Sequence, residues 1–232
     1  MKHTMYFGAH TSREFGCVVT TLPAIPAAEA RGEWESTPGV QGSQFFSDNA
    51  LEAVDMPVAL YVPPEANING LMAWLSGEGQ LRFNSWPWFW KARRTSAFTL
   101  TPCPIDDGWN VTVPFRVQPH RYMYPEADPI SFTRSKIITN PCTAEAQPLI
   151  ELTGSGDIGL MVGIDTLGID DLDGTIAIDC EAKEAYLIAT GESANAMVTV
   201  VTDWPVLNVG QTAVLATGNV TEIRVTPRWR YL

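Results

Sequence analysis

Helical periodicity, histidine, paired cysteines and positive charge are all scarce in this 232-residue chain, and each shortage removes a class of explanation. Charged residues make up 18% against 45% hydrophobic, a globular balance far from the low-hydrophobicity, high-charge corner of disordered chains. Lys and Arg number 15 against 26 Asp and Glu, for a formal charge of -11. That balance opposes any binding that works by neutralising phosphates, so no specific nucleic-acid binding is expected. The cysteines, Cys17, Cys103, Cys142 and Cys180, are widely spaced with no C-x-x-C pair. This fits reduced thiols in a protein made in the cytosol rather than a disulfide framework. Met1 to His10 carries Lys2 but no apolar run after it, so no secretory leader is expected. No stretch approaches the length of a membrane span, and no membrane insertion is expected.

Signatures of reactive chemistry are equally sparse. His3, His10 and His120 are too far apart for an i, i+4 metal pair, and neither a G-x-S-x-G elbow nor a cysteine-protease signature occurs. Paired carboxylates for glycoside hydrolysis are defined by their separation in space, and acids this common pair by chance. No catalytic residue and no cofactor is assigned, and the chain is not expected to be an enzyme. Gly154, Gly156 and Gly159 satisfy G-x-G-x-x-G, but alternating residues follow where a dinucleotide site needs a helix. Gly-Ser-Gly-Asp is read instead as a hairpin turn. Asp171, Asp173 and Gly174 echo a calcium loop, yet Ile169 and Cys180 stand where oxygen donors are required. Two readings of Asp170 to Asp173 stay open, a solvated acidic turn and a weak calcium site, and no metal is assigned.

One segment reads as helix: between Asn67 and Gly77, residues Ile68, Leu71, Met72 and Leu75 recur at i, i+3, i+4 and i+7, with Asn67 as cap and Gly77 as stop. Almost everything else reads as short strands divided by Gly, Pro, Asn and Asp, so the fold is expected to be mainly β. From Pro148 onward strands are expected at 149–152, 158–164, 175–180, 185–188, 197–201, 213–216 and 222–226, a number that suits a sandwich. Ile158, Leu160, Val162 and Ile164 alternate with Gly159, Met161 and Gly163, as half-buried strands require.

Pro125, Pro129 and Asn140-Pro141 place a boundary near 131–141, giving domains 1–136 and 137–232, with the last strand able to return to the first domain. The two halves differ in charge: Asp157, Asp165, Asp170, Asp171, Asp173, Asp179, Glu181 and Glu184 crowd the second, whereas Lys91, Arg93, Arg94, Arg116, Arg121, Arg134 and Lys136 lie in the first. The run Ser85-Trp86-Pro87-Trp88-Phe89-Trp90-Lys91 puts three Trp at alternating positions, on one face of a strand. Core packing accounts for such a face, and so does a subunit interface, where Trp is over-represented. Trp86, Trp88 and Trp90 are therefore the candidate oligomer-interface residues.

Several segments together resemble the distal tail protein family of siphoviruses and related prophages. They are Tyr6-Phe7-Gly8 with Glu14-Phe15-Gly16; Leu71 to Phe83 (LMAWLSGEGQLRF); Val113-Pro114-Phe115-Arg116 with Pro119-His120-Arg121-Tyr122; Thr139 to Thr143 with Gln147-Pro148; Leu152 to Asp157; Ile178 to Glu181 with Tyr186; Trp204 to Leu207 with Gly210; and Thr217 to Val220 with Thr226 to Arg230. The resemblance implies a ring-forming N-terminal β domain with one short helix, followed by a galectin-like β-sandwich. It implies a structural hub in the virion tail tip, assembled in the host bacterial cytoplasm as a homo-oligomer, a hexameric ring. Its expected partners are the tail tube protein, the tail-tip protein that often carries a lysin, and a receptor-binding protein at the periphery. The short connections of the second half leave little room for a long peripheral extension. The alternative is a carbohydrate-binding module that assists attachment to the host surface, for which Trp204 and Trp229 are the aromatics to inspect.

Overall fold

The computed structural model describes residues 3–232; Met1 and Lys2, the start of the segment expected to lack a leader, lie outside the described residues. The chain is mainly β and divides into two compact units, one reaching to Arg121 and including Leu232, the other Tyr122–Tyr231. Among the described residues no helix is long and apolar enough to cross a membrane.

The first unit holds β1 (Met5–Phe7), β2 (His10–Thr11), β3 (Val18–Thr21), β4 (Ala30–Glu35), β5 (Gln44–Leu51), β6 (Val54–Val62), α1 (Ile68–Trp74), β7 (Glu78–Phe83), β8 (Trp88–Arg94), β9 (Thr101–Pro102) and most of β10 (Trp109–Met123). Its main sheet runs β2-β1-β7-β8-β10-β6-β3, while β4 and β5 form a separate two-stranded sheet. Alternation decides which side of the main sheet is core: Val111, Val113, Phe115 and Val117 are buried, and the residues between them are not. Helix α1 covers that side. The Asn67 side chain accepts from Gly70 N at 3.0 Å, capping the helix as its sequence predicts, and Gly77 takes φ +94 just past its end. Leu71, Trp74 and Leu75 are buried, whereas Ile68 and Met72 lie at the flank. The face is turned toward Trp74 because its ring stacks on Phe15 at 4.9 Å and its Nε1 donates to Phe7 O at 2.9 Å.

The second unit holds β11 (Ile130–Phe132), β12 (Ser135–Asn140), β13 (Leu149–Val162), β14 (Asp165–Asp179), β15 (Glu184–Leu187), β16 (Val198–Val200), β17 (Gly210–Thr226) and β18 (Arg230–Tyr231). Its layout corrects the sequence reading: several expected short strands are halves of three long ones. Gly154 to Asp157 is not a hairpin turn, because β13 runs through it and reverses only at Gly163-Ile164. Ile164, expected to face inward, is therefore 84% exposed at the true turn. The acidic Asp170 to Asp173 segment likewise lies inside β14, where Asp171 adopts φ +50 and its N–H reaches Asp157 Oδ1 at 3.0 Å.

The residues that mimic turns serve a bend. Register shifts fall between Gly156 and Ile158 against β14, and on either side of Gly154-Ser155 against β17. Bulges at one level across adjacent strands let them change direction together. Below that level β11, β17, β13, β14 and β15 lie side by side; above it the order is β12, β17, β13, β14 and β16. Leu152, Ile176 and Ile223 from one half and Leu160, Leu167 and Val214 from the other share one buried cluster, so the bent sheet closes over its own core as a sandwich.

Candidate assembly surfaces

The three candidate tryptophans do come together, though not on one strand. Trp88 and Trp90 share a face of β8, while Trp86 precedes the strand and turns its ring back onto Phe83 at 4.9 Å. Trp86 lies 6.0 Å from Trp88, stacked, and 5.4 Å from Trp90, edge to face. Trp90 is 1% exposed and belongs to the first core; Trp86 and Trp88 pack against that core from its rim and remain half-buried. Trp88 Nε1 is buried with no acceptor among the described residues, and leaving such a donor unpaired costs about 1–3 kcal/mol. The Arg121 guanidinium lies 5.1 Å from the Trp88 ring centroid, a cation–π arrangement. Of the three, Trp86 and Trp88 have surface left for a neighbour.

A second aromatic group was not visible in the sequence. Strands β4 and β5 carry Trp34, 70% exposed, and Phe46, 54% exposed, with Phe45 and, in the connection, Val40 also exposed. Trp34 and Phe45 are cross-strand partners with ring centroids 5.1 Å apart, and Glu33 stands opposite Phe46 on the other face. Gly32 makes room for this, since a Cβ there would lie 2.8 Å from Phe45 Cζ. The signal was the alternation of Arg31, Glu33 and Glu35 with Gly32 and Trp34 on one side of the Pro38 to Gly42 turn. The polar majority of the segment masked it.

Among the described residues no three His, Cys, Asp or Glu side chains are grouped to hold a metal. A groove in the first unit, lined by Thr20, Thr99, Thr101, Asn110 and Thr112 with Ala59, Leu60 and Val111, offers hydroxyl and amide groups but neither carboxylate, imidazole nor thiol. All four cysteines are free, and burial pushes the Cys17 thiol up to about 11 and the Cys180 thiol to about 12, so neither supplies a thiolate nucleophile near neutral pH. The inspected aromatics of the second unit are framework: Trp229 is buried in its core, and Trp204 packs against it.

This architecture, a helix-bearing β unit followed by a bent-strand sandwich, is shared with solved structures from phage adsorption apparatus and baseplate. The crystal structure of SPP1 Dit (gp 19.1), described as a paradigm of hub adsorption apparatus in phages infecting Gram-positive hosts, matches with a TM-score of 0.75 at 15% identity over 99% of both chains. Chains of the phage P2 baseplate in its activated conformation match at TM-scores of 0.56 with Ca and 0.54 with Sr, each at 8% identity over 97% of both chains. No protein-family model matches the chain, and no curated protein matches it by sequence. The likeness to the distal tail family noted in the sequence thus holds at the level of the fold.

Proposed function

We propose that this chain is a structural, non-enzymatic hub of a phage tail tip, whose copies close into a hexameric ring between the tail tube and the host-adsorption device. One observation carries the reading: the match to a hub adsorption protein covers 99% of both chains, so both β units and their order are shared. A sugar-binding or catalytic module borrowed by another architecture would match over one unit only. In this role the chain resides in the virion, is assembled in the bacterial cytoplasm, and meets the tube protein on one side and a tail-tip protein on the other. A receptor-binding component at the periphery would contact the second unit, where β13 and β14 are joined by only Gly163-Ile164.

Binding surfaces do the work under this proposal, and the rim tryptophans are the first place to probe them. The test is the mass of the purified chain in solution, alone and mixed with the tail-tube and tail-tip proteins of the same phage. Six copies of the 25.4 kDa chain give about 152 kDa. Trp88→Ser is expected to reduce assembly while circular dichroism and melting remain close to the parent. A chain that stays monomeric alone and with both partners would overturn the hub reading; unfolding of Trp88→Ser would return that ring to the core.

A further inference from the structure

We infer that the loop joining β9 to β10, tipped by Ile105, is a knob that seats on the Trp86 and Trp88 rim of a second copy of this chain. The inference deepens the hub reading and rests on it, since it names what the rim tryptophans meet. Ile105 is 91% exposed, the most exposed large apolar side chain among the described residues. One aliphatic residue on a loose loop would call for no explanation, but this loop is built to hold its tip. Cys103 N donates to Gly108 O at 2.8 Å and closes the loop. Asp106 is pinned from two sides, its Oδ1 accepting from Gly108 N at 3.0 Å and its Oδ2 from the Tyr61 hydroxyl at 2.8 Å. Gly108 makes room for that brace, since a Cβ there would lie 2.5 Å from the Tyr61 hydroxyl oxygen. The Asp106 bond pushes the Tyr61 hydroxyl up to about 12, so the brace is intact at neutral pH. Pro102 and Pro104 stiffen the approach to the tip. A side chain fixed in the open gives up little entropy when it docks, as an anchor should.

The chemistry of the tip selects its partner. Ile105 follows the exposed Pro102 and Pro104 and precedes the exposed Asp106 and Asp107, so it fits an apolar seat with a cation at its edge. The first unit offers such a seat. Trp86 and Trp88 are half-buried and stacked at 6.0 Å, and the Arg121 guanidinium lies 5.1 Å from the Trp88 ring centroid. Arg121 is held there by donating to Leu232 O. Ile105 and the proline rings against indole faces, with Asp107 toward Arg121, set apolar on apolar and charge on opposite charge.

Position agrees with chemistry. The knob immediately precedes β10, which starts at Trp109, and Arg121 lies near the other end of that strand, so knob and seat stand roughly 40 Å apart. They are different patches at opposite ends of one sheet, so the contact is heterologous and each copy has one of each to offer. A self-complementary patch would instead stop at two. Six steps of that length close at a radius of about 40 Å, which leaves the centre of a ring open.

The test uses the full chain with a photoreactive benzoylphenylalanine in place of Ile105. Irradiation is expected to link it to peptides containing residues 86–90 of another copy, read by mass spectrometry with mixed isotope labels. Separately, Ile105→Asp is expected to weaken assembly by about tenfold with circular dichroism unchanged. Asp107→Arg is expected to weaken it as well, and the chain that adds Arg121→Asp to recover it. Rings that form normally with Ile105→Asp, or that link position 105 to a tube or tip protein or elsewhere on the chain, overturn the knob and leave the hub reading standing. A parent chain that neither assembles nor links, with or without tube and tip partners, sinks both.

Discussion

Arg228 shows how much of the second unit rests on single side chains. It sits at φ +54, a left-handed conformation that costs a non-glycine residue about 1–2 kcal/mol. Its guanidinium holds that position by a two-pronged contact to Asp179, at 2.7 and 2.8 Å, with Glu181 at 3.4 Å. Tyr122 OH donates to Glu181 at 2.7 Å, extending the network. Burial alone would raise the Asp179 carboxyl; hydrogen bonds and charge from Arg228, with the N–H groups of Ala182 and Glu181, outweigh it and hold the carboxyl below the usual carboxylate range. A depressed folded value stabilises fully above the unfolded value near 4 and loses that contribution as pH falls through the folded value. Urea unfolding of the parent is therefore expected to weaken below about pH 4. Arg228→Met should lose about 1.5–3 kcal/mol at pH 7 and show a shallower acid limb, since its Asp179 no longer binds protons less readily when folded. An unchanged acid limb in Arg228→Met would show that the pair does not govern it.

At the scale of elements, the bend in the second unit depends on two glycines that a turn reading treats alike. Gly218 has φ +94, and a Cβ on it would lie 2.5 Å from Asp157 O; Gly156 has φ +72 with open space around it. Gly156→Ala should cost only the left-handed penalty, about 1–2 kcal/mol, whereas Gly218→Ala must also push β13 and β17 apart and should cost clearly more. Equal losses in urea would mean the close approach is not structural. The same element shows why the sequence was half legible. Alternation at Ile158, Leu160 and Val162 gave the strand and its inward face correctly, because burial on one side imposes period two. Gly-Ser-Gly-Asp and Asp-Leu-Asp-Gly gave false breaks, because reversing a chain and bulging a strand ask for the same residues. Asn67 was legible as a cap since its bond is local, made to Gly70 three residues on. The β4–β5 ribbon was not, since nothing within Ala30–Leu51 buries a face and pattern has no core to report.

For the whole molecule, two cores invite two melting transitions. The clusters around Phe115 and Leu152 are separate sets of buried residues, one in each unit. Leu152→Ala should cost about 2–5 kcal/mol and move the second unit's transition by ~10 °C or more, with the first unit's transition left in place. Calorimetry then carries information about assembly. If copies meet through the rim tryptophans Trp86 and Trp88, which lie in the first unit, mass action stabilises that unit alone. Its transition should rise with chain concentration, while the transition moved by Leu152→Ala stays fixed. A concentration dependence borne by the second transition would shift the contacts between copies onto the sandwich, and a single transition moved as a whole by Leu152→Ala would show the two cores melting as one body.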